Sequence, residues 1–177
     1  MSKNLLITGA SRGIGRAAAL LAAADGWAVG VNYRNDRAAA DEVVAQIEAM
    51  GGKAVALPGD VANEQDVLRL FEAMDQFGPL HGLVVNAGIV APPMPLLDMS
   101  NERLRRMFEV NVLGSYLTAR EGARRMARSR GGNGGSMVLV SSVAASLGSP
   151  FEYVDYAGAK GAMDVLTRGL AKELGGE

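Results

Sequence analysis

Cysteine is missing from this 177-residue chain, and histidine occurs once, as His81. These absences exclude disulfides, thiolate chemistry and metal centres built from several histidines, and no metal is expected. Aromatic residues are scarce, at 5% of the chain. No apolar run in the sequence approaches the ~20 residues of a membrane-spanning helix. Neither charge is in excess: 18 Lys+Arg against 19 Asp+Glu leave a net charge of −1. Neither nucleic acid nor a membrane surface is therefore an expected partner. Met1-Ser2-Lys3-Asn4 leads at once into a strand-like run, which predicts no signal peptide and a cytoplasmic protein.

Small residues take the place of the missing ones, with 23 glycines and 28 alanines. Hydrophobic residues at 49% and charged residues at 21% fit an ordinary globular chain, and the length fits one domain spanning 1–177. Short apolar runs at Asn4–Thr8, Trp27–Tyr33, Lys53–Pro58, Gly82–Asn86 and Ser136–Ser141 read as strands. Between and after them, Ile14–Ala24, Asp36–Met50, Asn63–Phe77, a long stretch over Asn101–Ser129, and Tyr153–Leu174 read as helices. Strands that are apolar throughout are buried on both faces, so the alternation predicts an α/β fold. The expected form is a doubly wound parallel sheet of Rossmann type with strand order 3-2-1-4-5.

The first strand runs into Thr8-Gly9-Ala10-Ser11-Arg12-Gly13-Ile14-Gly15, and a helix follows. Glycines there allow a tight turn and a close backbone approach to phosphate, while the helix N-terminus offers free N–H groups and a positive dipole end. This predicts a dinucleotide pyrophosphate site. Gly9-Ala10-Ser11-Arg12-Gly13 also matches the Gly-x-Ser-x-Gly elbow of hydrolases. That reading fails because the turn follows the first strand. The one histidine also reads as a solvated turn residue ahead of the fourth strand, at the wrong end for a site. After the second strand, Asn32-Tyr33-Arg34-Asn35 offers Arg34 and no acid at the strand end itself. Asp36 reads as a helix cap. Arg34, with Arg12, therefore predicts NADP as the cofactor, with NAD the alternative.

Tyr156-Ala157-Gly158-Ala159-Lys160 sets a phenol and an ammonium four residues apart, on one face of a helix. A nearby cation favours the phenolate and makes Tyr156 a workable proton donor and acceptor for a carbonyl oxygen. With Thr8-Gly9-x-x-x-Gly13-x-Gly15, Asp60-Val61, Asn86-Ala87-Gly88, Asn111 and Ser142, the whole chain resembles the short-chain dehydrogenase/reductase family. Within it, the chain is similar to NADP-dependent 3-oxoacyl reductases and glucose dehydrogenases. The resemblance implies hydride transfer between NADP(H) and a carbonyl or secondary-alcohol substrate. It implies Tyr156 as general acid/base, and Lys160 lowering its pKa and holding the nicotinamide ribose. It further implies Ser142 orienting the substrate oxygen and Asn111 holding a water that relays protons to Lys160. Asp60 with Val61 would meet the adenine, and Asn86, Ala87 and Gly88 would line the cofactor.

The chain departs from the family pattern at Val85, where a second Asn is frequent, and in the 14-residue separation of Ser142 and Tyr156. Family members also continue with a sixth strand, a Pro-Gly turn, a substrate-binding helical lobe and a seventh strand. The final strands are expected to be absent here. A truncated, non-catalytic nucleotide-binding or interaction protein is accordingly the alternative function. An unpaired fifth strand makes a homo-oligomer expected. Arg120, Arg124 and Arg128 form a stripe at helical spacing, read as a solvated or subunit-facing side.

Overall fold

The computed structural model describes residues 3–177. Met1 and Ser2, on which the signal-peptide reading partly rests, lie outside them. Five apolar runs form β1 (Asn4–Ile7), β2 (Ala28–Tyr33), β3 (Ala54–Pro58), β4 (Leu80–Val85) and β5 (Ser136–Leu139). They pair in parallel in the order β3-β2-β1-β4-β5, as the sequence predicts. Ile7 lies opposite Val31 on one side and Val84 on the other.

Successive strand side chains point to opposite faces, so Leu6 and Ile7 enter different cores. Ile7, Val29 and Val31 pack with Ala19 of α1 (Gly13–Ala24) and with Val43 and Ile47 of α2 (Arg37–Ala49). Leu6 and Leu83 pack on the other face with Leu70, Phe71 and Met74 of α3 (Glu64–Phe77). Phe71, Leu6 and Ile7 are fully buried, each contributing roughly 1.5–3 kcal/mol relative to exposure. Caps set the helix starts: Asp36 accepts from Ala39 N–H at 3.0 Å, and Asn63 accepts from Gln65 and Asp66 N–H at 2.9 and 3.2 Å. No helix among the described residues is long and apolar enough to cross a membrane.

The long helix expected over Asn101–Ser129 is interrupted. It consists of α4 (Asn101–Phe108), a π-helical stretch at Glu109–Leu113, and α5 (Gly114–Met126). Two local contacts account for the break. A Cβ on Gly114 would meet Val61 O at 2.9 Å, so the helix lies against the β3–α3 loop. One turn earlier the buried Asn111 side chain binds the main chain of Ile89, with Oδ1 accepting at 2.7 Å and Nδ2 donating at 2.8 Å. A short helix α6 (Ala144–Leu147), absent from the sequence reading, precedes α7 (Val154–Leu174).

His81 also differs from expectation. It lies inside β4, half-buried, and its Nδ1 accepts the Asn4 N–H at 3.1 Å. It is a strand residue that joins β4 to β1, not a solvated turn. Two cations of the arginine stripe are paired with carboxylates: Arg120 with Glu64 and Glu121, and Arg124 with Glu121. β5 is the last strand of the sheet, so its outer edge has no strand partner among the described residues.

Candidate active site

All five strands point the same way, so their C-terminal ends form one edge of the sheet, where α/β folds bind ligands. The loop after β1 is fixed from its neighbours. Thr8 Oγ1 accepts from the N–H groups of Asn86 and Ala87, each at 3.0 Å. Asn86 Nδ2 donates to Thr8 O at 2.8 Å and Gly9 O at 3.1 Å. From the other side the buried Asn32 accepts from Gly9 N–H at 3.1 Å and donates to Leu57 O and Gly59 O at 3.1 Å. Gly9 has φ +63°, and a Cβ there would lie 2.9 Å from Ala87 Cα; a Cβ on Gly15 would lie 2.5 Å from Gly9 O. Only glycine fits either position. The turn is thus a cradle of bare backbone. α1 starts at Gly13 with no side-chain cap on its first N–H groups, which remain available to an anion.

A cleft of about 620 Å³ opens over this turn. Of the expected residues, it is lined by Gly9, Ser11, Arg12, Gly13 and Ile14, by Arg34, Asp60 and Val61, and by Asn86, Ala87 and Gly88. Gly15 does not line it, being buried beneath the turn. Asp36 borders the cleft but caps α2. Asp60 Oδ1 accepts from Ala62 N–H at 3.0 Å, while Oδ2 accepts from Arg106 Nη2 at 3.0 Å and lies 3.7 Å from Arg34 Nε. Burial pushes the Asp60 carboxyl up, but the Ala62 N–H, Arg106 and Arg34 together hold it below the usual carboxylate range.

Ser142, Tyr156 and Lys160 stand beyond the lining of this cleft, at the end of β5 and the start of α7. Lys160 is buried, its Nζ donates to Val140 O at 2.7 Å, and it lies 5.7 Å from the Tyr156 ring centroid. Burial pushes the Lys160 ammonium below its usual range. Ser141 Oγ donates to the Lys160 carbonyl at 3.2 Å, so that hydroxyl is engaged with α7. Ser142 Oγ accepts from Ala144 N–H at 3.2 Å and keeps its own proton to donate. A Cβ on Gly88 would lie 2.8 Å from Asn111 Oδ1 and 3.7 Å from Lys160 Nζ. Gly88 therefore joins the cleft to the Lys160 end. The Asn111 side-chain amide is engaged with Ile89, and the Asn111 main-chain carbonyl accepts from Ser115 Oγ at 2.9 Å.

A family model described as short chain dehydrogenase matches residues 3–177. The chain belongs to the short-chain dehydrogenase family. It is 50% identical over 170 residues to the uncharacterized oxidoreductase YgfF of Escherichia coli (strain K12), covering 96% of this chain and 69% of that protein. It is 40% identical over 174 residues to an L-rhamnose 1-dehydrogenase (NAD(P)(+)) of Sphingomonas sp. (strain SKA58), covering 98% of this chain and 67% of the relative. A crystal structure of a short chain dehydrogenase from Burkholderia cenocepacia J2315 in complex with NADP superposes with a TM-score of 0.90 at 34% identity, over 98% of this chain and 69% of the other.

In this short-chain dehydrogenase the structure adds site residues that the sequence reading does not name. Asn32 is one; an Asn inside an otherwise apolar strand is a signal that could have found it. Arg106 is a second. A third feature is a buried ion pair beside Tyr156. Arg103 Nε donates to Asp155 Oδ2 at 2.9 Å, Nη2 donates to Oδ1 at 3.2 Å, and Nη1 donates to Pro92 O at 2.7 Å. Asp155 Oδ1 also accepts the Tyr156 N–H at 2.9 Å. Burial pushes the Asp155 carboxyl up, yet Arg103 and the Tyr156 N–H hold it below its ordinary value. Arg103 and Arg106, three apart on α4, thus tie that helix to both ends of the site.

Proposed function

We propose that this chain is an NADP(H)-dependent oxidoreductase acting on a carbonyl or secondary-alcohol substrate. The observation that carries the reading is the continuity from the glycine cradle, through Gly88, to Lys160 and Tyr156. The cradle suits a pyrophosphate because Gly9 and Gly15 leave no Cβ in the way. In this reading the backbone of Gly9, Ser11, Arg12, Gly13 and Ile14 holds the pyrophosphate. Arg34 and Arg12 take the 2′-phosphate in charge-assisted bonds. Asp60 and Val61 flank the adenine, and Asn86, Ala87 and Gly88 line the path toward the nicotinamide. When bound, the dinucleotide supplies or accepts the hydride.

Tyr156 gives its phenolic proton to the substrate oxygen in reduction and takes it back in oxidation. Lys160, whose Nζ lies 5.7 Å from the Tyr156 ring centroid, holds the nicotinamide ribose beside it. Ser142 donates a hydrogen bond from its hydroxyl to the same substrate oxygen and orients it, keeping its proton. Asn111 fixes the loop at Ile89 against the π-helical stretch, and its part in proton relay runs through the water that the family resemblance implies. The NADP-bound neighbour and the relative named for NAD(P)(+) both support this cofactor class, and Arg34 supports the phosphorylated form. Association into a homo-oligomer belongs to the same reading, supported by the open edge of β5 and by Val138, which is 55% exposed on a face of that strand.

The test is carbonyl reduction with NADPH by the chain extended to the full length of its relatives, beside a Tyr156→Phe variant. Turnover should be lost in the variant while NADPH affinity is kept. Turnover that survives in Tyr156→Phe would assign the proton to another group.

A further inference from the structure

Three cations line the cleft: Arg12, Arg34 and Arg106. Two carboxylates accompany them, Asp36 and Asp60. Asp36 keeps its charge but is engaged at the α2 cap, where it accepts from Ala39 N–H; Asp60 is the carboxylate that meets the cleft arginines. Its Oδ2 receives two guanidiniums on one atom, Arg106 at 3.0 Å and Arg34 at 3.7 Å. The first is a hydrogen bond; the second lies outside hydrogen-bond range. Arg34 Nε donates to Asn35 Oδ1 at 3.3 Å, and its side chain is 50% exposed. Its guanidinium carries five N–H donors, and the residue lines the cleft.

We propose that Arg106 decides between phosphorylated and unphosphorylated dinucleotides by holding the Asp60 carboxylate off Arg34. This rests on the dinucleotide reading of the cleft and goes beyond it. With Arg106 in place, the three groups carry a net charge of +1, and Arg34 stays free to grip a phosphate. Without Arg106, Asp60 and Arg34 cancel and close on each other. A 2′-phosphate would then have to break that pair and leave Asp60 facing a second anion. A dinucleotide with a free 2′-hydroxyl makes no such demand. Arg106 acts through Asp60, so it is a positioning residue.

The experiment is a fluorescence titration with NADPH and with NADH of the unmodified chain, Arg106→Gln, Asp60→Asn and the double variant. Arg106→Gln should weaken NADPH by roughly tenfold or more, the range for a charged hydrogen bond, while NADH changes less than about twofold. Removing Asp60 as well should erase the effect, so the double variant binds NADPH within about threefold of Asp60→Asn alone. Arg106→Lys, which keeps the charge, should recover part of the NADPH preference. An undiminished preference in Arg106→Gln overturns the proposal. So does the same NADPH loss on the Asp60→Asn background, since Arg106 would then touch the ligand itself. No recovery in Arg106→Lys overturns the charge argument. An unmodified chain that binds neither nucleotide overturns the dinucleotide reading itself, and one that binds both equally overturns its NADP preference.

Discussion

Replacing Arg103 by Met removes one half of the ion pair that locks the start of α7, where Tyr156 sits. The Asp155 side chain is 0% exposed and that of Arg103 is 12% exposed. The variant leaves a carboxylate out of water, with main-chain N–H groups, that of Tyr156 foremost, as its hydrogen-bond donors. Breaking a buried pair in this way costs about 3–5 kcal/mol. For a chain of this length each kcal/mol moves Tm by ~2–4 °C, so a fall of about 10 °C is expected at pH 7. The pH dependence follows from the direction of the Asp155 shift. In the unmodified protein its carboxyl is held below its ordinary value. The pair therefore stabilises fully above the unfolded value of ~3.9 and is lost as pH falls through the lower, folded one. Without Arg103, burial dominates and the folded value rises above the unfolded one. The variant then suffers most near neutrality and is relieved as the carboxyl takes up its proton. Thermal melts followed by circular dichroism at pH 7 and at successively lower pH would show the gap narrowing toward pH 4. A gap under ~2 °C at pH 7, or one that stays constant on acidification, would refute the reasoning.

Arg34→Asp should weaken NADPH binding by roughly tenfold or more and shift preference toward NADH, because it replaces a phosphate donor by an acid; unchanged selectivity would count against Arg34. Gly9→Ala meets both a φ of +63° and Ala87 Cα at 2.9 Å. It should cost about 1–3 kcal/mol in a thermal melt and weaken nucleotide binding at the same time, whereas an unshifted Tm would show that the turn relaxes. Analytical sedimentation should find the chain associated, through the β5 edge or the α5 and α7 side; a monodisperse monomer would contradict this.

The sheet was legible because its strands are short runs of apolar residues bounded by glycine, proline and polar turns; burial on both faces, expected of every strand, fails at β5, where Ser136 and Val138 are exposed. The placement of the glycine turn and of Tyr156 beside Lys160 was legible for a different reason: each set of residues lies within a few consecutive positions. The remaining features depend on distant pairings. Arg106 meets Asp60 across 46 positions, and Arg103 meets Asp155 across 52. Nothing local in Leu104-Arg105-Arg106 distinguishes a cleft arginine from a solvated one. The π-helical break at Glu109–Leu113 depends on the approach of Val61 and Ile89, while the sequence there is continuously helical in pattern. His81 looked like a turn because Pro79 and Gly82 surround it. In the register of β4 against β1, Leu80 lies opposite Asn4 and Gly82 opposite Leu5, so His81 is the extra residue of a bulge within the strand.

Calorimetric titration of the unmodified chain with NADPH and with NADH tests the central claim most directly. A cleft built on the glycine cradle with Arg34 over it predicts saturable binding at one site per chain, with NADPH tighter than NADH. No saturable binding of either nucleotide would contradict the account at its base.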